Sequence, residues 1–307
     1  MHQDSEDGVE GQDVCSVTAA ATSLEIKHVT RVYNHIAKHF SDTRHTPWPK
    51  VCDFLKSLDP GSLVYDIGCG NGKYTAVNPL LHMIGADASF ELLTISRCRG
   101  MPDAVLSDAK TLPFRSGTAD NVISIAVLHH LSTQAGRLGG VREISRVLKP
   151  GGSALLTVWA FEQNKNGSAS KYVKSSSSPS SSKADASNVM STPPSSERQP
   201  NGKGAPGTLH GDAAAAGLPI HRNRTPFQSQ DVLVPWTCKE TNETLLRYYH
   251  VFVEHELTHL CERIPGIAVI DQFYDEGNWC VVIQRESDSP IHQYSGKGGI
   301  RLVDERE

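Results

Sequence analysis

The feature that most constrains the fold is an apolar run that ends in a glycine-rich turn, LVYDIGCGNG at residues 63–72. Glycine permits a tight turn and lets the backbone approach a bound molecule without a clashing Cβ. Further apolar runs alternate with helical patterns along the chain: HMIGAD, AVLSDA, NVISIAVL and ALLTVWA, with a helix predicted from Thr133 to Leu148. This rhythm predicts an α/β fold with a doubly wound, mostly parallel sheet.

The sequence also predicts secondary structure near both ends of the ordered part of the chain. Apolar residues recur at helical spacing from Leu24 to Phe40, before the rigid turn SDTRHTPWP, and again from Glu254 to Ile264. The run AVIDQFYDEGNWCVVIQR reads as two strands around the turn DEGN, which is a hairpin signal. We therefore expect helices at both places and an antiparallel strand that completes the sheet at its edge.

Composition divides the chain into ordered and unordered parts. Its 307 residues are 38% hydrophobic, enough for one substantial core, but the middle is rich in Ser and Pro and poor in large apolar residues. The expected parts are a disordered acidic N-terminus (1–23), the half of the domain with the glycine-rich turn (24–163), a disordered Ser/Pro-rich insertion (164–217), the C-terminal part of the domain (218–286) and a flexible tail (287–307).

Bulk charge and cysteine usage exclude several classes of protein. A formal charge of −4 argues against a strongly basic nucleic-acid protein, although it permits a local basic face. The first residues lack the apolar run expected of a signal peptide, and no apolar stretch reaches about 18 residues. Its 7 cysteines are scattered without a CxxC pair, so reduced thiols and no metal site are expected. These features favour a cytoplasmic protein, with the nucleus as an alternative location.

Acidic residues at successive strand ends indicate which ligand the glycine-rich turn binds. The GxGxG spacing is not the GxGxxG of a dinucleotide site, and a plain strand-to-helix bend is the simpler alternative. However, Asp87 ends the second strand, where it suits ribose hydroxyls, and Asp108 ends the third, near an adenine amino group. We therefore predict an S-adenosyl-L-methionine site formed by Asp66, Gly68, Gly70, Asn71, Gly72, Asp87, Asp108, Ala109 and Ala126.

Three further residues are candidates for the reacting end of the site. His129 and His130 follow the fourth strand, where a substrate would meet the methyl group, although histidines at strand ends are often only packing residues. Arg44 lies beside Pro47, Trp48 and Pro49, which favour a held side chain over a solvated one. We predict Arg44, His129 and His130 as catalytic residues.

The combination of segments resembles one family. The run YNHIAKHFSDTRHTPWPKVCDFLKSLDPGSLVYDIGCGNGKY resembles the eukaryotic tRNA wobble-uridine carboxymethyl methyltransferases, both the stand-alone fungal type and the domain fused to AlkB-like hydroxylases. The likeness continues through ISIAVLHHLST, KPGG, VWAFEQ, SQDVLVPW, RYYHVF and GNWCVVIQ, from about Lys27 to Gln284. Ala86 in place of a more usual cysteine and the Ser-rich insertion depart from the pattern. With only a short polar segment before the domain, the stand-alone type is expected, without hydroxylase activity.

The resemblance implies a Rossmann-like class I methyltransferase with a seven-stranded sheet and an antiparallel last strand. It implies conversion of 5-carboxymethyluridine at the anticodon wobble position to its methyl ester, and it supports roles for Arg44 and for His129 or His130. Expected partners are the tRNA anticodon stem-loop and a small zinc-binding activator subunit, without membrane or DNA. The alternatives are a small-molecule methyltransferase and a non-catalytic paralogue that binds RNA or the activator.

An anticodon stem-loop requires cations for its phosphates and aromatic rings for splayed bases. The candidates, each of which could instead be ordinary surface or core, are Lys27, Arg31, Lys38, Arg44, His45, Arg222, Arg224, Trp48, Trp236, Tyr248 and Tyr249.

The segment HELTH at residues 255–259 matches the zinc-protease pattern HExxH. No third ligand is placed nearby in sequence, and Leu257, Leu260 and Cys261 share a helix face, so a packing helix is the preferred interpretation.

Overall fold

The computed structural model describes residues 19–165, 168–170, 217–238 and 241–287. In chain order the strands are β1 (Leu63–Ile67), β2 (His82–Asp87), β3 (Ala104–Leu106), β4 (Ala119–Ile125), β5 (Leu148–Trp159), β6 (Asn164–Lys165), β7 (Ser168–Ala169), β8 (Asp231–Thr237), β9 (Thr244–His250), β10 (Ile267–Asp275) and β11 (Asn278–Arg285). The described α-helices after residue 30 are α1 (Arg31–Thr43), α2 (Pro49–Lys56), α3 (Phe90–Cys98), α4 (Gln134–Val147) and α5 (Glu256–Glu262).

Seven strands form one sheet in the order β10-β11-β5-β4-β1-β2-β3. The strands from β5 through β3 pair in parallel, whereas β11 pairs antiparallel with both of its neighbours. From β1 the strands are added in one direction to β3, and β4 then lies on the other side of β1, which places a crevice at the carboxyl ends of β1 and β4. The predicted doubly wound sheet with an antiparallel last strand is confirmed.

Side chains of the central strands alternate between two apolar layers, as the pleat requires. Val122 of β4 packs in the layer that is covered by α4 and α5. The next residue, Ile123, packs on the opposite face with Val51 and Leu55 of α2. Both faces of the central strands are therefore buried, which is why these strands read as nearly continuous apolar runs in the sequence. This three-layer core holds the strand ends at fixed positions.

The C-terminal hairpin forms at the edge of the sheet, as the sequence indicates. Glu276 and Gly277 both have positive φ, 44° and 91°, as a two-residue type I′ turn requires. The last strand, β11, inserts between β5 and β10 and pairs antiparallel with both, so the expected antiparallel edge of the sheet is confirmed, with β10 as its outermost strand. The apolar content of β11 explains this placement, since the strand buries Trp279, Val281 and Ile283.

A second hairpin, β8–β9, lies outside the main sheet and is not among the predicted elements. The motifs SQDVLVPW and RYYHVF supply its strands, and in the sequence these motifs carry only the family resemblance. The strand β9 packs against α1 and the 3₁₀ turn Leu128–His130 that follows β4. The hairpin therefore stands beside the carboxyl ends of the sheet.

The ends of the described segments bear on the expected domain boundaries. Residues 19–25 are helical and continue through the π-helical turn Ile26–Thr30 into α1, so helix begins before the expected boundary at Leu24. The short strands β6 and β7 pair inside the first residues of the expected insertion. Most of that insertion, residues 1–18 and the tail from residue 288 lie outside the described residues. Within the described part of the chain, no helix is long and apolar enough to cross a lipid bilayer.

Two glycines offer a matched test of core packing. A Cβ at Gly85 in β2 would lie 2.3 Å from Met101 Sδ and 2.7 Å from Cys69 Sγ, whereas a Cβ at Gly139 in α4 would meet nothing within 4 Å. We expect Gly85→Ala to lower the free energy of unfolding by about 1–3 kcal/mol through overpacking. Gly139→Ala should raise it by up to about 1 kcal/mol because alanine favours helix. Denaturant unfolding followed by circular dichroism measures both, and equal effects of the two substitutions would contradict this packing.

Candidate active site

A cavity of about 670 Å³ opens at the carboxyl ends of β1, β2 and β4. Its floor is the glycine-rich turn and the loops after these strands, and its walls come from α1, the preceding helix and the β8–β9 hairpin. This is the position at which doubly wound folds bind ligands. The cavity brings together most of the predicted cofactor residues: Gly68, Gly70, Asn71, Asp87, Asp108, Ala109 and Ala126.

The three glycines of the turn have different structural roles. Gly68 has φ +79°, and a Cβ there would lie 2.1 Å from Val127 Cγ2, so only glycine fits. Gly70 has φ +54°, and its N–H donates to Asp87 Oδ2 at 2.8 Å. Gly72 does not line the cavity: a Cβ there would lie 3.0 Å from the Cβ of Ser96, so this residue allows the turn to pack on α3.

Asp87 is fixed for a ligand by its backbone partners. Its Oδ1 accepts from the N–H of Ser89 at 2.8 Å, while Oδ2 accepts from Gly70. Burial raises the pKa of Asp87, although these N–H groups favour the charged form. Each carboxylate oxygen keeps lone-pair capacity, which matches the two hydroxyls of a ribose.

Asp66 lies beneath the turn rather than in the cavity wall. Its side chain is 1% exposed, and Oδ2 has no hydrogen-bond partner within the described part of the chain. Burial and the neighbouring Asp87 raise the pKa of Asp66 to about 7, while Lys73 acts in the opposite direction. The residue that does reach the cavity here is Lys73, whose Nζ lies 4.9 Å from the ring centres of Trp48 and Tyr74. Burial lowers the pKa of Lys73 to about 8.

Asp108 and Ala109 line the opposite end of the cavity. Asp108 Oδ1 accepts from the N–H of Lys110 at 2.8 Å, and its side chain is 53% exposed. Lys110 also forms an ion pair with Glu25 of the N-terminal helix, and Glu25 accepts from the N–H of Ser132 at 2.7 Å. The N-terminal helix is therefore attached across this end, and it shields the cavity from solvent.

Ala126 adopts a conformation that is costly for alanine. Its φ is +62° at the end of β4, and its N–H donates to the Thr157 carbonyl at 3.0 Å. Such strain persists when the surrounding structure holds it, and it is found at functional sites. The bend directs the chain into the 3₁₀ turn that carries both histidines.

The two predicted histidines have different environments in the structure. His129 is 1% exposed, its Nδ1 accepts from the N–H of Trp159 at 3.2 Å, and its ring stacks on Tyr249. Burial holds the pKa of His129 well below its ordinary value, so the ring is neutral with its proton on Nε2. Both nitrogens of His130 have partners: Tyr33 Oη at 3.0 Å and the carbonyl of Tyr248 at 2.9 Å. Burial lowers the pKa of His130 to about 3.

Arg44 lies at the end of α1, where its guanidinium is 5.3 Å from the ring centre of Trp236. Asn71 Nδ2 donates to the Arg44 carbonyl at 3.4 Å and to Ser41 Oγ at 3.3 Å. Asn71 therefore connects the cofactor turn to the backbone of Arg44. This contact places the arginine at the junction between the cofactor end and the hairpin end of the cavity.

Arg247, which is absent from the predicted site residues, lies in the same wall. Its guanidinium is 4.7 Å from the ring centre of Trp236, and Nη1 donates to Tyr249 Oη at 2.8 Å, with the residue 6% exposed. The signal that could have found it is the period of two: as a strand, RYYH places Arg247 and Tyr249 on one face. The same period places Tyr248 on the other face, where its hydroxyl bonds Asp231.

The other candidate RNA contacts fall into two groups. Trp48, Trp236, Tyr249, Arg44 and Arg224 line the cavity. Outside the cavity wall, the side chains of Arg31, Lys38, His45 and Arg222 are exposed, and Lys27 is half-buried.

The HELTH segment forms a packing helix. In α5, Leu257, Leu260 and Cys261 are buried, as expected from their spacing. Glu256 accepts from Nε2 of His250 at 2.7 Å, and His255 bonds Gln272. Among the residues described, no group of three or more His, Cys, Asp and Glu side chains could hold a metal ion.

Comparison with known proteins agrees with the fold and the cavity. Residues 65–156 match the family model described as a methyltransferase domain. The fold is shared with an S-adenosylmethionine-dependent methyltransferase from Clostridium acetobutylicum, at a TM-score of 0.50 and 11% identity, over 83% of this chain and 100% of that chain. The fold and the site thus define an S-adenosylmethionine-dependent methyltransferase, and the predicted cofactor and fold class are confirmed.

Two curated relatives define the family. A Schizosaccharomyces pombe protein named tRNA (carboxymethyluridine(34)-5-O)-methyltransferase is 37% identical over 85% of this chain and 97% of its own length. The Xenopus tropicalis protein named tRNA (carboxymethyluridine(34)-5-O)-methyltransferase alkbh8 is 45% identical over 86% of this chain, and the match spans 42% of the frog protein. The chain belongs to the tRNA (carboxymethyluridine(34)-5-O)-methyltransferase family.

The buried carboxyl of Asp66 should leave a signature in stability. The pKa of Asp66 is about 7 in the folded protein and 3.8 in the unfolded chain. As pH rises from 3.8 to about 7 the unfolded chain loses this proton first, so the folded protein becomes less stable relative to the unfolded chain. We expect Asp66→Asn to have a higher Tm than wild type without cofactor at pH 8, and the difference should vanish towards pH 4.

Asp120 provides a control because its pKa is shifted in the opposite direction to that of Asp66. Hydrogen bonds from Lys149 and from the N–H of Leu63 outweigh burial and lower its pKa. Asp120→Asn should therefore lower the Tm at neutral pH, with the loss disappearing below about pH 4. Thermal unfolding over a pH series measures both variants. A Tm difference for Asp66→Asn that does not change with pH would contradict the assignment.

Proposed function

We propose that this chain transfers the methyl group of S-adenosylmethionine to the carboxylate of 5-carboxymethyluridine at the wobble position of a tRNA anticodon. The observation that carries the proposal is the cavity wall formed by the end of α1 and the β8–β9 hairpin. There, Arg44 and Arg247 approach Trp236, and neutral His129 lies at the end of β4. An anionic group attached to a planar base fits cations beside an aromatic ring. The names of the fungal and frog relatives support the same reaction.

The reaction requires positioning more than proton transfer. The carboxyl group has a reference pKa of about 4 and is ionised at neutral pH, so no general base is needed. S-adenosylmethionine, held at Asp87 and Asp108, would supply the methyl group: a carboxylate oxygen would bond to the methyl carbon as the carbon–sulfur bond breaks, with neutral S-adenosylhomocysteine as the leaving group. Because both charges disappear, a water-poor cavity favours the step, and in-line approach at roughly 3–3.5 Å should dominate the rate.

The two arginines and the histidine then have separate roles. Arg44 and Arg247 attract the anion, but their guanidinium groups must leave the attacking oxygen accessible. His129 cannot supply a positive charge, since burial keeps its ring neutral by lowering its pKa. We assign its Nε2–H as a donor to a uracil oxygen or to the second carboxylate oxygen of the substrate. His130 is assigned a supporting role because both of its ring nitrogens are occupied.

The remainder of the anticodon stem-loop would lie against the surface around the cavity mouth. The exposed side chains of Arg31, Arg222 and Arg224 supply cations for phosphates there. Such binding should weaken as salt is added. A cytoplasmic location, with the nucleus as an alternative, remains part of this proposal.

The test is transfer of a labelled methyl group to tRNA that carries carboxymethyluridine, followed by mass spectrometry of the nucleosides. We expect His129→Ala to lower kcat by about 10²-fold, as for other preorganised donors, and Arg44→Ala to lower kcat/KM by about 10-fold or more. Cofactor affinity, measured separately by calorimetry, should change little in either variant. Transfer only to small molecules would overturn the proposal.

Two surface substitutions serve as controls. His82 is exposed at the start of β2, and Arg142 is exposed on α4, so neither lines the cavity. His82→Ala and Arg142→Ala should retain wild-type turnover. Full turnover in His129→Ala and Arg44→Ala as well would remove both residues from the mechanism.

We also propose that a small zinc-binding activator subunit docks on the open edge at β3. Leu106 of β3 is 57% exposed, and Phe90 is 61% exposed at the start of α3, which packs against that strand. An edge strand flanked by exposed apolar side chains is suited to pairing with a strand of a partner. Covering this edge would remove apolar surface from water and stabilise β2, which carries Asp87.

The opposite edge offers a matched control for this docking site. Ile270 of β10 is also 57% exposed. We expect Leu106→Asp to abolish co-purification with the co-expressed activator, and Ile270→Asp to leave it intact. Equal retention in both variants, or full methyl transfer by the chain without a partner, would contradict the proposal.

A further inference from the structure

A chain of hydrogen-bonded side chains, buried except for the half-buried Tyr33, lies beside the ring of His129. Arg247 Nη1 donates to Tyr249 Oη at 2.8 Å, and Tyr249 Oη lies 3.3 Å from Tyr33 Oη. Tyr33 Oη lies 3.0 Å from His130 Nε2, and His130 Nδ1 lies 2.9 Å from the carbonyl oxygen of Tyr248. The four side chains come from α1, the 3₁₀ turn and β9, which are distant in sequence.

The chemistry of the groups determines the direction of every bond. A carbonyl oxygen only accepts, so His130 Nδ1 carries the proton. Because burial lowers the pKa of His130 and keeps its ring neutral, Nε2 has no proton and must accept from the hydroxyl of Tyr33. The oxygen of Tyr33 is then the acceptor for the hydroxyl of Tyr249. Tyr33 is thus the link that donates to one partner and accepts from the other.

This series of hydrogen bonds holds the ring of Tyr249, on which the ring of His129 stacks. The rings of His129 and Tyr249 are 4.8 Å apart and 17° from parallel, and Trp159 lies 4.6 Å from Tyr249. The hydroxyl of Tyr249 is held between Tyr33 and Arg247, which prevents the ring from tilting away from His129. The hydrogen bond from the Trp159 N–H to His129 Nδ1 also restrains the orientation of the His129 ring.

We infer that Tyr33 is a positioning residue for methyl transfer: its hydroxyl bridges His130 and Tyr249, and the bridge sets the orientation of His129 and Arg247 toward the substrate. This inference rests on the proposed function. Phenylalanine at this position would leave His130 Nε2 without its donor and Tyr249 without its acceptor, both in a buried setting. Loss of a hydrogen bond to the neutral ring would also raise the pKa of His130.

The test compares Tyr33→Phe with Tyr65→Phe. Tyr65 is 5% exposed, and its hydroxyl bonds Thr118 Oγ1 at 2.9 Å in the core, outside the cavity wall. Both substitutions remove a tyrosine hydroxyl together with its side-chain hydrogen bonding. We expect Tyr33→Phe to lower kcat by roughly 10-fold with the KM for tRNA and the cofactor Kd almost unchanged. Its activity should also fall more steeply than that of wild type as pH is lowered. Tyr65→Phe should retain wild-type kcat.

Nitrogen-15 NMR of the histidine rings provides a readout that does not depend on turnover. In wild type we expect His129 in the Nε2–H form and His130 in the Nδ1–H form. Tyr33→Phe should shift the His130 nitrogen signals, whereas Tyr65→Phe should not. If Tyr33→Phe fails to fold, Tyr249→Phe breaks the same chain one link earlier and should lower kcat in the same way.

Three results would overturn the inference. One is equal turnover in Tyr33→Phe and Tyr65→Phe. Another is a loss of kcat in both variants that follows their loss of Tm, which would indicate a structural role only. The third is His130 with its proton on Nε2 in wild type. Absence of methyl transfer by the wild-type protein to tRNA would instead count against the proposed function, while the NMR pattern still tests the hydrogen-bond chain.

Discussion

The hydrogen bond from the Gly70 N–H to Asp87 Oδ2 connects the two elements on which the site depends. It joins the turn after β1 to the end of β2, and the second carboxylate oxygen continues the connection to Ser89 at the start of α3. These groups are partly buried, so an unpaired N–H or carboxylate there would be costly. The turn, the strand end and the helix start therefore adopt one arrangement, and the cavity floor is preorganised before a ligand binds.

Burial also decides the charges around the cavity. It raises the pKa of Asp66 to about 7, lowers the pKa of Lys73 to about 8, and keeps both His129 and His130 neutral. The guanidinium groups of Arg44 and Arg247 both lie beside the ring of Trp236. Cations therefore line both ends of the cavity: Lys73 lies beside the glycine-rich turn, whereas Arg44 and Arg247 lie beside Trp236.

The β8–β9 hairpin gives this methyltransferase fold its particular site. It contributes Trp236, Arg247 and Tyr249 to the cavity, while the opposite face of β9 directs Tyr248 and His250 toward Asp231. His250 also bonds Glu256 of α5, and these two carboxylates outweigh burial and raise its pKa. A partly buried ionic cluster thus attaches the hairpin to α5. The face toward the cavity can then carry buried cations at fixed distances from the cofactor turn.

The alternation of strands and helices, the glycine-rich turn and the positions of Asp87 and Asp108 at strand ends could be predicted from sequence because they depend on local signals: apolar period, the positive φ of glycine and the ends of strands. Local pattern could not separate His129 from His130, since the partners of their ring nitrogens, Trp159, Tyr33 and Tyr248, lie 30, 97 and 118 residues away along the chain. Local pattern also could not show that Arg247 lies beside the same tryptophan as Arg44, or that Gly72 and Asp66 do not line the cavity. These features depend on how β9, α1 and the strand ends pack together, and packing between distant segments is decided only in the folded chain.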